Sequence, residues 1–101
     1  MTSTNESPSL RERLSEIFQI SSPQVENHAY FALIREELRQ TEADLFKLLN
    51  KYGVQSVAEM NTGFQEGRID EELAWEDYFQ IDALEYKRDK LLAILDEFPQ
   101  E

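Results

Sequence analysis

Apolar side chains recur at alternating spacings of three and four residues through the middle of the 101-residue chain. Such heptad-like spacing is typical of a helix that packs along its length against another helix. The pattern predicts a long helix over residues 23–52, with Ser22 as its N-cap and Pro23 at its first position. The predicted packing seam of this helix consists of Phe31, Ile34, Leu38, Thr41, Leu45, Leu48 and Tyr52.

A second stretch with the same spacing predicts another long helix over residues 71–98, capped by Asp70 and stopped by Pro99. Its predicted seam consists of Ile81, Leu84, Leu91, Leu95 and Phe98. Arg88 falls between Leu84 and Leu91 of that seam, and we expect it to form an ion pair with an acidic residue on the facing helix. The similar lengths of the two helices predict an antiparallel hairpin.

Two Ser-x-x-Glu capping boxes predict short helices over residues 9–20 and 56–66. Gly53 and Gly67 are placed to end the helices that precede them. Residues 1–8 are polar and are expected to form a disordered tail, which leaves residues 9–101 as a single helical domain.

The predicted fold is therefore all-α, and the low content of three glycines and three prolines agrees with long helices. Ala29, Leu33, Phe46 and Leu49 widen the apolar stripe of the first long helix beyond one seam. Because a single hairpin cannot cover so wide a stripe, we expect a homodimer that forms a four-helix-type bundle.

The charge of the chain is −11 and is uneven, with a net −2 over residues 1–55 and −9 over residues 56–101. This charge argues against nucleic-acid binding, which needs clustered lysine and arginine, and it favours a basic protein partner. No apolar run approaches 18 residues and the first seven residues lack the features of a signal peptide, so no membrane association is expected. The absence of cysteine fits a reducing compartment, and we expect a cytoplasmic protein.

No catalytic residue is expected, since the chain lacks a nucleophile elbow and a phosphate-binding glycine loop, and His28 is its single histidine. No metal ligand and no cofactor site are predicted either. The enzymatic alternative is a metal-dependent phosphohydrolase, in which helix carboxylates would hold Mg²⁺. Its candidate ligands are Glu72, Glu76, Asp82 and Glu85. A solvated acidic face explains the same four residues more simply.

The strongest candidate site is the aromatic stretch at the start of the second long helix. Residues 66–85 carry eight acidic side chains and one arginine, and aromatic side chains are common anchors of protein interfaces. The predicted partner-binding residues are Trp75, Glu76, Asp77, Phe79, Asp82 and Tyr86. Three interpretations stay open for the surface of Trp75, Phe79 and Tyr86: it is a dimer contact, it packs on the short helix 56–66, or it binds an external partner.

Several of these motifs resemble a group of small helical proteins of prokaryotic toxin–antitoxin pairs, over residues 36–97. The similar features are Lys51-Tyr52-Gly53-Val54, Ser56, Glu59, Gly67, Trp75-Glu76-Asp77-Tyr78 and Ala83-Leu84. The resemblance implies an acidic, non-enzymatic partner of a basic toxin nuclease or transferase. The functional hypotheses are thus an antitoxin-like binding module, a dimeric helical scaffold without a further partner, and the phosphohydrolase.

Overall fold

Four helices make up the computed structural model, which describes residues 7–98. They are α1 (Leu10–Phe18), α2 (Ser22–Tyr52), α3 (Val57–Gln65) and α4 (Glu71–Leu95). The all-α prediction is confirmed, and no strand occurs in the described range. Most of the predicted disordered tail, residues 1–6, and the predicted stop at Pro99 lie outside the described residues.

The first two helices begin with capping boxes, and the predicted N-cap of the second lies one residue too late. Ser9 caps α1 together with Glu12, as predicted. Ser21, not Ser22, caps α2, because Gln24 is positioned to accept a hydrogen bond from the Ser21 backbone N–H at 2.9 Å. The α1 helix ends at Phe18 rather than at residue 20, since Gln19 adopts a left-handed conformation with φ of 60°.

The last two helices depart from prediction at one end each. Ser56 caps α3, but the carboxylate of Glu59 accepts from the N–H of Gln55, so the predicted box is only half formed. The α4 helix ends at Leu95 instead of residue 98, because the chain tightens into turns in which N–H groups bond to carbonyls three residues earlier. One result is that the ring of Phe98 meets that of Phe31 edge-on, at 5.8 Å.

Contacts along the long helices show that α2 and α4 run antiparallel. The start of α2 meets the end of α4 through Phe31 and Phe98. Glu37 and Lys87 form an ion pair further along, and Tyr52 at the end of α2 meets Asp77 near the start of α4. The predicted hairpin is therefore present within one chain.

The hydrophobic core lies at one end of this hairpin, where α2 ends and α3 and α4 begin. Its buried members are Leu45, Leu49, Val54, Met60, Ala74 and Ile81. The opposite end is thinly packed: α1 lies against α2 without burying any of its own residues. Packing therefore weakens from the core end towards the start of α2.

The predicted seam follows the same gradient. Leu38, Thr41 and Leu45 are buried, whereas Phe31 at the thin end stays partly exposed. The Thr41 hydroxyl donates to the carbonyl oxygen of Glu37, which satisfies the one buried polar residue of the described core.

The predicted inter-helix ion pair of Arg88 is wrong. Its guanidinium binds Asp89, its own neighbour in α4, at 3.0 Å. The cost of burial that motivated the prediction does not arise, since the Arg88 side chain is 31% exposed at an open side of the hairpin.

The molecule is elongated and only one helix layer thick over most of its length. Its extents are 68 × 34 × 16 Å and its radius of gyration is 21.0 Å. A compact domain of this length would have a radius of gyration of about 13 Å. As a consequence, many large apolar side chains of α2 and α4 have no layer above them.

Candidate partner-binding surface

Three exposed aromatic side chains of α4 form one stripe, which we call the aromatic stripe: Trp75, Phe79 and Tyr86. They are 50%, 59% and 64% exposed, respectively. The rings of Trp75 and Phe79 stack edge-on at 5.8 Å, and Phe79 also contacts the ring of Tyr78 at 5.6 Å. Because Tyr78 packs against the core, it gives the exposed stripe a firm support.

The helical period explains why the stripe points outwards. Ala74 and Ile81 are buried on the face of α4 that meets the core, and Trp75 and Phe79 lie far around the helix from that face. The interpretation that α3 covers the stripe is wrong. Instead, α3 packs on α4 through the rings of Phe64 and Tyr78, at 5.4 Å.

Carboxylates lie around the aromatic stripe. Four of them form no ion pair within the described range. These are Glu71, Glu72, Glu76 and Asp82. Glu71 and Glu72 lie in the first turn of α4, where the helix dipole favours negative charge. The stripe is therefore set in a negatively charged surround at its Trp75–Phe79 end. At the other end, Lys90 lies over the Tyr86 ring at 5.1 Å and donates a hydrogen bond to the Tyr86 hydroxyl at 3.2 Å.

Asp77, another predicted partner-binding residue, is engaged within the chain rather than left unpaired like those four carboxylates. Its carboxylate accepts hydrogen bonds from Lys51 Nζ at 2.8 Å and from the Tyr52 hydroxyl at 2.5 Å. The bond from Lys51, followed by that from Tyr52, lowers the pKa of Asp77. The same pair raises the pKa of Lys51, and burial raises the pKa of Tyr52. Asp77 thus holds the end of α2 against α4, and we call this contact the Asp77 brace.

The structure does not bring together the four candidate ligands of the phosphohydrolase alternative as a metal site within the described residues. One of these ligands, Glu85, instead accepts a hydrogen bond at 2.8 Å from the backbone N–H of Val57 at the start of α3. Among residues 7–98, no group of three or more histidine, cysteine or acidic side chains converges so that it could hold a metal ion.

A second surface, which we call the arginine groove, follows α2 on one side of the hairpin. It consists of two adjoining depressions of about 440 and 570 Å³ that share Arg39 and Glu42. Arg35 and Arg88 also line it, and Phe31 and Phe46 lie at its two ends. Phe46 is 65% exposed. The sequence shows that Arg35 and Arg39 are spaced i, i+4 on one helix. The packing seam of that helix alone does not show which residues line a groove between two helices.

One ion pair organises the middle of the arginine groove. Arg39 binds Glu36 on the preceding turn, at 2.5 Å. Hydrogen bonding between these two side chains lowers the pKa of Glu36 and raises that of Arg39. Both groups stay charged at neutral pH, so the groove presents fixed charges beside its apolar floor.

Comparison with known proteins identifies the family but not an activity. Residues 2–101 match the family described as Uncharacterized protein MJ0235 family, and the chain belongs to that family. No curated protein and no solved structure matches the chain. Within the part of the chain that the structure describes, no helix has both the length and the apolar character needed to cross a membrane.

Proposed function

We propose that this member of the MJ0235 family is a non-catalytic, acidic protein-binding module that binds a basic protein through its aromatic stripe. The observation that carries the proposal is the exposure of Trp75, Phe79 and Tyr86 on a firmly supported helix face. Large aromatic side chains dominate the binding energy of many protein interfaces. The uncompensated carboxylates around them favour a partner of positive charge and accelerate its approach.

The Asp77 brace supports this proposal in two ways. It fixes the first turns of α4 against the end of α2, so the aromatic stripe is ordered before a partner arrives. It also accounts for two segments of the toxin–antitoxin resemblance, since Lys51 and Tyr52 come from one segment and Asp77 from the other. We therefore propose an antitoxin-like role, in which the partner is a basic nuclease or transferase, and a cytoplasmic site of action.

The first test is to find the partner and then to measure its affinity. The full-length chain is used to capture proteins from a lysate of its source organism at low and at high salt, and captured proteins are identified by mass spectrometry. The purified partner is then titrated against the wild type and the variant Trp75→Ala/Phe79→Ala. We expect the variant to bind at least ~30-fold more weakly, the effect of losing one interface hot spot.

The matched control is Tyr30→Ala/Leu33→Ala, which removes two exposed apolar side chains from α2. It should bind the partner as the wild type does, and both variants should keep the helical circular-dichroism signal. Equal affinity of the Trp75→Ala/Phe79→Ala variant and the wild type would show that the stripe is not the binding surface.

A second candidate arrangement, the dimeric four-helix-type bundle, is favoured by the single-layer shape of the chain. A layer only 16 Å thick leaves Phe46, Leu33 and other large apolar side chains uncovered. Pairing of two hairpins would cover such side chains, as in other helix bundles. If the dimer alone is the function, the chain is a scaffold and the capture experiment returns no stoichiometric partner.

A further inference from the structure

We infer that the arginine groove is the surface on which a second copy of this chain docks. The two α2 helices would lie antiparallel about a two-fold axis that passes between Leu38 and Arg39. The inference rests on the dimeric arrangement proposed above and assigns it a location. It also separates the dimer contact from the aromatic stripe, which stays free for the basic partner.

The exposed area of the chain is the first argument. The chain exposes 7793 Å², whereas a compact monomer of its mass would expose ~6,000 Å². If the nine residues outside the described range are counted as fully exposed, the described part still exceeds the compact value for its size by ~700 Å². A standard protein interface buries ~800 Å² on each partner. The surplus therefore matches what one copy contributes to a stable dimer.

The order of side chains along the groove is the second argument. Antiparallel pairing about the proposed axis places Phe46 of one copy opposite Phe31 of the other. It places Arg35 opposite Glu42 of the second copy, and by symmetry this pair forms twice. Apolar ends thus meet apolar ends, and Arg35 of each copy meets a carboxylate, as a self-complementary two-fold interface requires. All four side chains line the two adjoining depressions.

Charge favours a second copy over the basic partner in this groove. The chain has a net charge of −11. The groove, however, combines Arg35, Arg39 and Arg88 with only two carboxylates, those of Glu36 and Glu42. Because Arg39 and Arg88 are already paired with Glu36 and Asp89 of the same chain, the groove is close to neutral and attracts a basic protein less than the acidic surround of the aromatic stripe does. Two copies of an acidic chain, in contrast, repel each other least where their arginines gather.

The test begins with the mass of the 101-residue chain in solution. Multi-angle light scattering and sedimentation equilibrium should give twice the chain mass of 11.9 kDa over a range of concentrations. The variant Phe46→Glu should raise the dimer dissociation constant at least ~30-fold, because it places a charge at an apolar contact that forms twice. The matched control is Phe79→Glu, which changes a phenylalanine of similar exposure in the aromatic stripe and should leave the dimer intact.

A charge exchange tests the register of the two helices. Arg35→Glu and Glu42→Arg should each weaken the dimer, while the variant carrying both changes should recover most of the wild-type affinity. Positions 35 and 42 lie seven residues apart, ~10 Å along one helix, so the recovery cannot come from a direct ion pair within one chain. A double variant as weak as the single ones would overturn the register.

Each remaining outcome bears on one proposal only. A mass of 11.9 kDa at every concentration would overturn the groove interface, while the binding of a partner to the aromatic stripe could still be measured. Dissociation by Phe79→Glu but not by Phe46→Glu would overturn the assignment and make the stripe the dimer contact. Circular dichroism checks that each variant is folded, and because both phenylalanines are largely exposed, their replacement costs the fold little.

Discussion

Asp77 illustrates how a carboxylate in an acidic stretch can be structural while its neighbours face solvent. The sequence predicts it to be a partner-binding residue because it lies in the acidic, aromatic stretch between Trp75 and Phe79. Its spacing of four residues before Ile81 also places it on the seam of α4, and this second signal agrees with the structure. Only the fold, however, could show that Lys51 and Tyr52 reach it from the end of α2.

The Asp77 brace makes stability depend on pH in a defined direction. Because the folded-state pKa of Asp77 lies below its ordinary value of 3.8, the brace stabilises the fold above about pH 3.8. That contribution is lost as the pH falls through the lower folded-state pKa. Asp77→Asn should therefore reduce the free energy of unfolding by about 1 kcal/mol at pH 7.

Urea denaturation at several pH values measures this effect. The difference between the wild type and Asp77→Asn should shrink below pH 4 as the carboxylate of the wild type becomes protonated. The control variant Asp82→Asn changes a carboxylate outside the ion pairs of the described range and should alter stability by less than about 0.5 kcal/mol. A difference that stays constant down to pH 2 would contradict the structural role of the brace.

At the scale of elements, the sequence predicted the four helices and their order because periodicity and caps are local signals. Ser9, Ser56 and Asp70 all cap helices where the sequence placed them, and Gly53 ends α2 with φ of 65° as expected. The helix ends that differ from prediction depend on backbone conformations that the local sequence hardly indicates. Gln19, for example, takes a left-handed conformation that glycine more commonly adopts.

The burial of the segments between helices and the presence of the arginine groove could not be predicted in the same way, because both depend on tertiary packing. Val54 and Ile69 lie outside the helices, yet Val54 is buried in the core and Ile69 packs against it. The arginine groove arises from the spacing between two helices, which heptad analysis of either helix alone does not report. The sequence therefore indicated the aromatic stripe but missed the second surface.

The dense packing of α3 leads to a prediction about stability at the core end. Met60 is fully buried among residues of α2 and α4. Met60→Ala should lower the free energy of unfolding by about 2–4 kcal/mol, through lost apolar burial and the cavity that it leaves. Leu73→Ala, at a position 83% exposed, is the control and should change stability by less than about 0.5 kcal/mol. Similar losses in both variants would argue against a core localised at this end.

At the scale of the whole molecule, charge and apolar surface are distributed differently. The acidic surplus lies in the second half of the chain, whereas the arginine groove gathers three of its ten basic residues. The acidic surround of the aromatic stripe should therefore attract a basic partner. Two copies of the chain, in contrast, associate against the repulsion between their net negative charges.

This distribution predicts opposite responses to salt. Raising the ionic strength from about 0.05 to 0.5 M should weaken binding of the basic partner, because screening reduces its attraction to the acidic surround. The dimer should be maintained or become tighter, since the same screening reduces repulsion between two chains of −11. Titration calorimetry measures the first response and sedimentation equilibrium the second. Parallel weakening of both would show that the dimer, too, is held mainly by attraction between charges.

The separation of the aromatic stripe from the core has a consequence for how this family diverges. Trp75, Phe79 and Tyr86 are largely exposed, so their replacement costs the fold little, while Met60 and Ile81 maintain it from the other side of the same layer. Selection for a new partner and selection for a stable chain then act on different positions. Under the proposed binding role, relatives would be able to exchange their specificity by a few substitutions without first acquiring compensating changes in the interior.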